Sequence, residues 1–333
     1  MKILIRLPNW LGDVVMSTAF INSVRQLYPV ARIDVIIKKE LSYITSFISG
    51  LHTVHLFSKH EYPGLTGAYR FGKKLRGEKY DLFFNLPTSL TSAVIGWASR
   101  AKKRIAYGKE GGFFLLTDSY RKPENIHRVD EHILLLEQFA GQVIHNRLVT
   151  LNIDKPTRLN KHIIINFNSE ASSRRMPLDK GKSLVNSLIR ELPDCHFIFI
   201  GALKERTFIE QILESAEDYS KIQNFAGKTN LIELCNLIAG AAAILTTDSG
   251  PAHLANSLGI PTVVLFGAGN EENTAPYNKR DLTVLRYGKL SCEPCLRNTC
   301  KLYGVPKCLE LIDNLFIISA LKLYLVPKKN SGM

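Results

Sequence analysis

Two stretches of this chain carry residue types and spacings that could do chemistry. The first is Thr246-Thr247-Asp248-Ser249-Gly250-Pro251-Ala252-His253, which follows the apolar run 241–245 and precedes a small-residue helical pattern at 254–258. A strand that breaks at Asp-Ser-Gly and restarts as a helix aims several backbone N–H groups at one point. The helix N-terminus favours negative charge there, so such a turn can hold a diphosphate without a Walker loop. The same residues also suit an ordinary strand–helix corner, with Ser249 as N-cap and Pro251 in the first turn. The second stretch is Pro8-Asn9-Trp10-Leu11-Gly12-Asp13, after an apolar run at 2–7. A dinucleotide-binding dehydrogenase would carry G-x-G-x-x-G here, and one glycine followed by an aspartate argues against NAD. Asp13 is either a helix cap or a general base set on a rigid strand–helix corner.

Two further loops join the first. Asn168-Ser169-Glu170-Ala171-Ser172-Ser173-Arg174-Arg175-Met176-Pro177 places hydroxyls and two adjacent arginines before a proline-initiated helix. That set suits phosphate oxygens, or makes a basic surface turn. In Gly201-Ala202-Leu203-Lys204-Glu205 the glutamate stands where an acidic residue accepts hydrogen bonds from a ribose, or where it favours the helix dipole. Three successive loops thus offer a cation pair, a carboxylate and an N–H nest, which together describe a nucleotide diphosphate site.

The elements that must position these loops alternate strand and helix twice over. Periodicity predicts strands at 2–7, 32–37 and 80–86, and helices at 13–28, 41–48, 89–98 and 129–139. A polar, proline-bearing linker is expected over 152–161. The cycle restarts with strands at 162–167, 195–200, 243–247 and 261–266, the last clear strand. Its helices fall at 178–192, 205–215 and 231–239, with an apolar closing helix over 309–325 and a disordered tail beyond 328. This alternation means parallel sheets with helices on both faces, one per half, and a ligand cleft between the carboxyl ends of their strands. The expected domains are 1–155 and 156–308, with a closing segment at 309–327.

The 333 residues suit two domains, and 45% apolar residues with mean hydropathy near zero describe a soluble globular chain. No apolar stretch approaches a membrane span, and Arg6, Pro8, Asn9 and Asp13 interrupt any signal-peptide core, so a cytoplasmic location is expected. The formal charge of +13 is uneven. Residues 1–150 hold 21 Lys and Arg against 12 Asp and Glu, and the remainder 22 against 18. Basic clusters at 73–76 and 100–104 invite nucleic acid, acidic lipid head groups or a phosphorylated glycan, or are simply solvated. Cys195 and Cys235 lie in apolar elements and read as core. Cys292, Cys295, Cys300 and Cys308 crowd into one segment; only the first pair has zinc-finger spacing, so structural zinc and a free-thiol loop both stay open.

With these residues in hand, the chain resembles the ADP-heptose:lipopolysaccharide heptosyltransferases of glycosyltransferase family nine. The resemblance is carried by the segment 7–16, by Thr247 to His253 and by the cysteine stretch, in order along nearly the whole chain. The opening loop and cysteine stretch lie nearest the branch that adds the second inner-core heptose. The resemblance implies an α/β GT-B fold, two Rossmann-like parallel-sheet domains facing a cleft. It also implies an inverting transfer of heptose from ADP-L-glycero-D-manno-heptose, with Asp13 as base. Asn9, Trp10 and Gly12 would sit beside the acceptor. Ser169, Arg174, Arg175, Glu205, Thr247, Asp248, Ser249, Gly250, Pro251 and His253 would form the nucleotide-sugar site. The acceptor would be Kdo-lipid A or heptosyl-Kdo-lipid A at the inner leaflet of the cytoplasmic membrane. No obligatory cofactor or metal and no nucleic acid partner are implied. Two departures stand out: Arg174 replaces the usual lysine, and Met176 stands where many members have tryptophan. Rival readings are another GT-B sugar-nucleotide enzyme, such as an epimerase, or a zinc-bearing nucleic-acid-binding protein.

Overall fold

Ile3, Leu4 and Ile5 are consecutive, apolar and fully buried. A strand covered on both faces by helices reads this way, because neither face meets water. The strand is β1 (Lys2–Arg6) at the centre of the first of two sheets in this computed structural model. The structure describes residues 1–108, 112–154, 156 and 159–325. Contacts divide the chain into two units, Met1–Asn152 and Ile153–Met333.

In the first unit β1 is joined by β2 (Arg32–Lys38), β3 (Thr53–Phe57), β4 (Leu82–Asn85), β5 (Lys103–Tyr107) and β6 (Asp118–Tyr120). The sheet runs β3-β2-β1-β4-β5-β6, every pair parallel. Its helices are α1 (Leu11–Met16), α2 (Thr18–Leu27), α3 (Gly64–Lys74), α4 (Leu90–Ser99) and α5 (Arg128–Ala140).

The second unit repeats the plan with β7 (Leu159–Asn166), β8 (His196–Phe199), β9 (Ile222–Asn224), β10 (Ala241–Thr247), β11 (Thr262–Phe266) and β12 (Leu282–Arg286). Its order, β12-β11-β10-β7-β8-β9, is also wholly parallel. Around it lie α6 (Leu178–Glu191), α7 (Arg206–Leu213), α8 (Leu231–Ala239), α9 (Gly250–Ser257), α10 (Glu271–Thr274), α11 (Lys307–Glu310) and α12 (Asn314–Leu325). Relabelled within its unit, each sheet has the doubly wound order 3-2-1-4-5-6. In each, chain direction reverses across the sheet between strands 1 and 4. That places a crevice between β1 and β4 in one unit and between β7 and β10 in the other.

Several elements differ from the sequence reading. The helix expected over 13–28 is two helices. Ser17 and Thr18 turn their hydroxyls back onto Val14 O and Val15 O at 2.7 and 2.8 Å, which competes with the ladder at the break. The helix expected at 41–48 is a 3₁₀ run, Lys39–Phe47. The last strand is not at 261–266, since β12 follows β11. Part of the expected linker belongs to β7, which begins at Leu159. The closing helix expected over 309–325 is split into α11 and α12. Lys155, Thr157, Arg158 and everything beyond Leu325, including the expected tail and the end of the 309–327 closing segment, lie outside the described residues. Cys195 and Cys235 are buried, as their apolar settings suggested.

Candidate functional site

The first unit's crevice is built on Arg6, the last residue of β1. Arg6 is 2% exposed, and its guanidinium donates to Leu7 O at 2.7 Å, Ile36 O at 3.2 Å and Asn9 Oδ1 at 2.7 Å. Burial lowers its pKa to about 10, still well above neutrality, so the cation that pins Asn9 stays charged. Trp10 then occupies the N-cap position of α1, which leaves Asp13 in the first turn rather than at the cap. Pro8 to Trp10 after β1 and Leu86 to Thr88 after β4 line one pocket of about 170 Å³. Asp13 is on its wall.

Residues far away in sequence complete that pocket. Arg128, at the start of α5, brings Nε to 3.7 Å from Asp13 Oδ1 and bonds both oxygens of Glu131 at 3.0 and 2.8 Å. Lys122 reaches Glu131 Oε1 at 3.0 Å. One turn on, His132 lines the same pocket, 2% exposed, and its Nδ1 has no hydrogen-bond partner among the described residues. Burial, then the Arg128 and Lys122 charges, depress its pKa to about 3, so the ring is neutral near pH 7. Sequence reasoning missed Arg6, Lys122, Arg128, Glu131 and His132. No local pattern marks them, because folding alone brings α5 beside the β1 loop.

The second unit's crevice collects the predicted nucleotide loops. Asn166 ends β7, and its amide donates to Ser249 Oγ at 2.8 Å, Thr246 Oγ1 at 3.0 Å and Asn168 O at 3.2 Å. Ser249 occupies the N-cap position of α9 but makes no side-chain cap bond; its hydroxyl donates to Thr247 O at 3.1 Å. Thr247 Oγ1 is spent on Asn168 O at 2.9 Å, and Ser169 Oγ on Asp248 O at 3.5 Å. Among the described residues neither the Ser249 nor the Gly250 N–H meets another backbone carbonyl. Pro251 follows Gly250 in the first turn of α9, and His253 is buried in the same helix.

Around this turn stand the charges. Arg174 Nη1 lies 3.3 Å from Asp248 Oδ2. Arg175 donates to Ser169 O at 3.1 Å and stacks over Phe208 at 5.5 Å. Gly269, after β11, has no room for a side chain: a Cβ there would sit 2.3 Å from Asp248 Oδ2. Glu205 accepts from the Ala202 N–H at 2.8 Å, which spends one carboxylate oxygen on its own turn. Met176 is 1% exposed within the core, so its side chain forms no wall of the site.

The cysteine segment is strapped to the arginine turn. Ser173 donates from N to Asn298 O at 3.1 Å and from Oγ to Arg297 O, and Ser172 Oγ reaches Asn298 O at 3.2 Å. Cys292, Cys295, Cys300 and Cys308 line one cavity of about 20 Å³ as free thiols. Among the described residues no group of three or more His, Cys, Asp or Glu side chains is placed to hold a metal ion. Burial, helped by Glu293, pushes the Cys308 thiol up to about 11.

Two α/β units of doubly wound order, each with polar loops gathered at its crevice, are the parts of a GT-B fold. Its solved counterparts include the E. coli ADP-heptose LPS heptosyltransferase II, with TM-score 0.82 at 22% identity over 98% of each chain. The chain belongs to glycosyltransferase family 9 (heptosyltransferase), whose family model matches residues 68–305. Among curated relatives, the lipooligosaccharide heptosyltransferase 2 of Haemophilus ducreyi is 28% identical over 311 residues, 85% of this chain and 88% of the relative. The lipopolysaccharide core heptosyltransferase OpsX of Haemophilus influenzae is 25% identical over 292 residues, 83% and 82% of the two chains. This membership sets the chain among glycosyltransferases rather than epimerases or nucleic-acid-binding proteins.

Proposed function

We propose that this glycosyltransferase moves a heptose from ADP-L-glycero-D-manno-heptose onto the inner core of lipopolysaccharide, placing the second heptose. The acceptor is then heptosyl-Kdo-lipid A rather than Kdo-lipid A. The observation that carries the reading is the Asp13 carboxylate on the wall of a polar pocket at the β1–β4 crevice. It is supported by relatives named heptosyltransferase 2.

Asp13 takes the proton of the acceptor hydroxyl as that oxygen attacks the anomeric carbon. The bond to ADP breaks on the opposite side, so one displacement inverts the configuration. Charge growing on the leaving diphosphate is met by Arg174, Arg175 and the unengaged N–H groups of the Ser249–Gly250 turn. Asp248 holds Arg174 beside that turn before the donor arrives. Lys122 and Arg128 give the acceptor pocket a cationic rim that suits Kdo carboxylates. Asn9 and Trp10 line it, with Gly12 in the adjoining first turn of α1, and Glu205, Thr247, Pro251 and His253 frame the nucleoside side. Cations and a helix N-terminus supply what a metal would otherwise give the diphosphate, so no metal or other cofactor is required. The enzyme works in the cytoplasm, peripheral to the inner membrane.

The test is a mass-spectrometric transfer assay with ADP-heptose and Kdo2-lipid A, with and without the first heptose in place. Product on the heptosylated acceptor alone is expected. Product on the bare acceptor would reassign the enzyme to the first heptose, and product on neither would remove both donor and acceptor from the reading.

A further inference from the structure

Away from both crevices, the outer helices of the first unit carry a patch that transfer chemistry does not use. Tyr69 of α3 and Trp97 of α4 meet with ring centroids 5.7 Å apart, and Trp97 is 48% exposed. Arg76 lies over the Tyr69 ring at 5.6 Å, donates to its hydroxyl at 3.2 Å and is anchored on Ala98 O at 2.8 Å. Lys73 and Arg100 converge on the same phenol, whose pKa is drawn down, chiefly by the Arg76 hydrogen bond. Lys102 and Lys103 nearby each pair with an aspartate. Lys73 and Arg100 have no carboxylate within ion-pair distance among the described residues.

A second apolar group adjoins these cations. The turn Phe113–Leu115 packs against α4 and is tied down by Arg104, which bonds Leu115 O and Ala101 O, both at 2.8 Å. Phe113 and Phe114 stand 62% and 69% exposed, edge to face. Water disfavours three large aromatic rings left uncovered on α4 and the turn packed against it. Aromatic rings beside unpaired Lys and Arg match the boundary of an anionic bilayer, where rings enter the headgroup layer and cations meet phosphate. Among the described residues no helix is long and apolar enough to cross a membrane, so contact would be made from one side.

We propose that Lys73, Arg76, Trp97, Arg100, Phe113 and Phe114 form the surface that docks this enzyme on an anionic phospholipid membrane. The proposal rests on the reading that the acceptor is held in lipid, and names the face that meets that lipid. The probe is co-sedimentation of the full chain with vesicles of phosphatidylcholine, pure or mixed equally with phosphatidylglycerol, across a salt series without donor.

The wild-type chain is expected to bind the mixed vesicles, release them as salt rises and ignore pure phosphatidylcholine. Lys73→Gln with Arg100→Asn is expected to weaken binding roughly 25-fold, about 5-fold per cation removed. Asparagine is chosen because Arg100 has φ of 58°, a conformation asparagine tolerates. Phe113→Ser with Phe114→Ser is expected to weaken binding at least about tenfold. Both variants should keep wild-type Tm and wild-type transfer to a deacylated, water-soluble acceptor, while transfer to vesicle-embedded acceptor falls in step with binding. Variants that sediment like wild type would overturn the proposal. So would equal binding to both vesicle types, tighter binding to duplex oligonucleotide at the same salt, or dimerisation that the substitutions abolish. Because vesicle binding needs no donor, failed heptose transfer with intact docking would remove only the functional reading. Transfer to a soluble acceptor without docking would remove only the surface.

Discussion

The two crevices share one topology and use their polar groups in opposite ways. At the β7–β10 crevice the side chains are occupied with one another. Asn166 holds Ser249 and Thr246, Thr247 holds Asn168, and Glu205 holds Ala202. What stays open is backbone: the Ser249 and Gly250 N–H groups, with Arg174 poised on Asp248. At the β1–β4 crevice two carboxylates, two cations and an imidazole whose Nδ1 is unpartnered among the described residues share a pocket of about 170 Å³. The contrast teaches that a fixed turn suits a ligand recognised by its phosphates, whereas a reacting hydroxyl needs a side chain able to accept a proton. In the proposed function, donor binding falls to the second unit and proton transfer to the first.

The largest effect expected from breaking this division is Asp13→Asn. It keeps the shape and removes the base, and kcat should fall roughly 10²- to 10⁴-fold in the transfer assay while the fold persists. Turnover within threefold of wild type would take the base away from Asp13. Next comes Asn166→Ala, which frees Ser249 and loosens the turn. The KM for the sugar nucleotide should rise about tenfold with kcat changed far less, from the loss of about 1–2 kcal/mol of buried hydrogen bonding. A fall in kcat alone would contradict a positioning role.

His132 sharpens the comparison through pH. Its folded pKa lies near 3, below the ordinary histidine value of about 6.5, so the unfolded chain binds the extra proton as pH falls. Stability is therefore full above about pH 6.5 and is lost progressively toward pH 3, by about 2 kcal/mol between pH 7 and pH 5. Urea unfolding of wild type and His132→Gln at both pH values checks this, since the substitution should remove that part of the slope. The smallest effect belongs to Glu205→Gln. One of its oxygens already bonds its own turn, and the amide keeps an acceptor there, so donor KM should change less than about threefold.

The reading from sequence alone followed how local each signal is. Asp13 and the Asp248–His253 turn were legible because a strand, a break and a helix start lie within a few residues. α3 was not, although it packs closely on α4. Its Gly67 and Gly72 weaken the helical pattern, yet a Cβ at either would strike Tyr62 backbone or Ile95 O at 2.2 and 2.4 Å. The feature that hides the helix is the one that lets it pack. β12 was hidden by its half-exposed, edge-strand pattern. Arg6 stood out only as a break in a signal-peptide core, and the fold shows it bracing Asn9. Lys122, Arg128, Glu131 and His132 lie more than a hundred residues from Asp13, beyond the reach of any spacing rule. Ser249 was placed at the right corner and given the wrong bond, since its hydroxyl faces Asn166 and Thr247 rather than capping α9.

The division of labour is tested most directly by calorimetric titration of ADP into wild type, Asp13→Asn and Asn166→Ala under identical conditions. Asp13→Asn is expected to bind ADP with the wild-type Kd although its turnover is lost, and Asn166→Ala to bind about tenfold more weakly. Loss of ADP affinity in Asp13→Asn, with wild-type affinity in Asn166→Ala, would contradict the assignment of donor binding to the second unit.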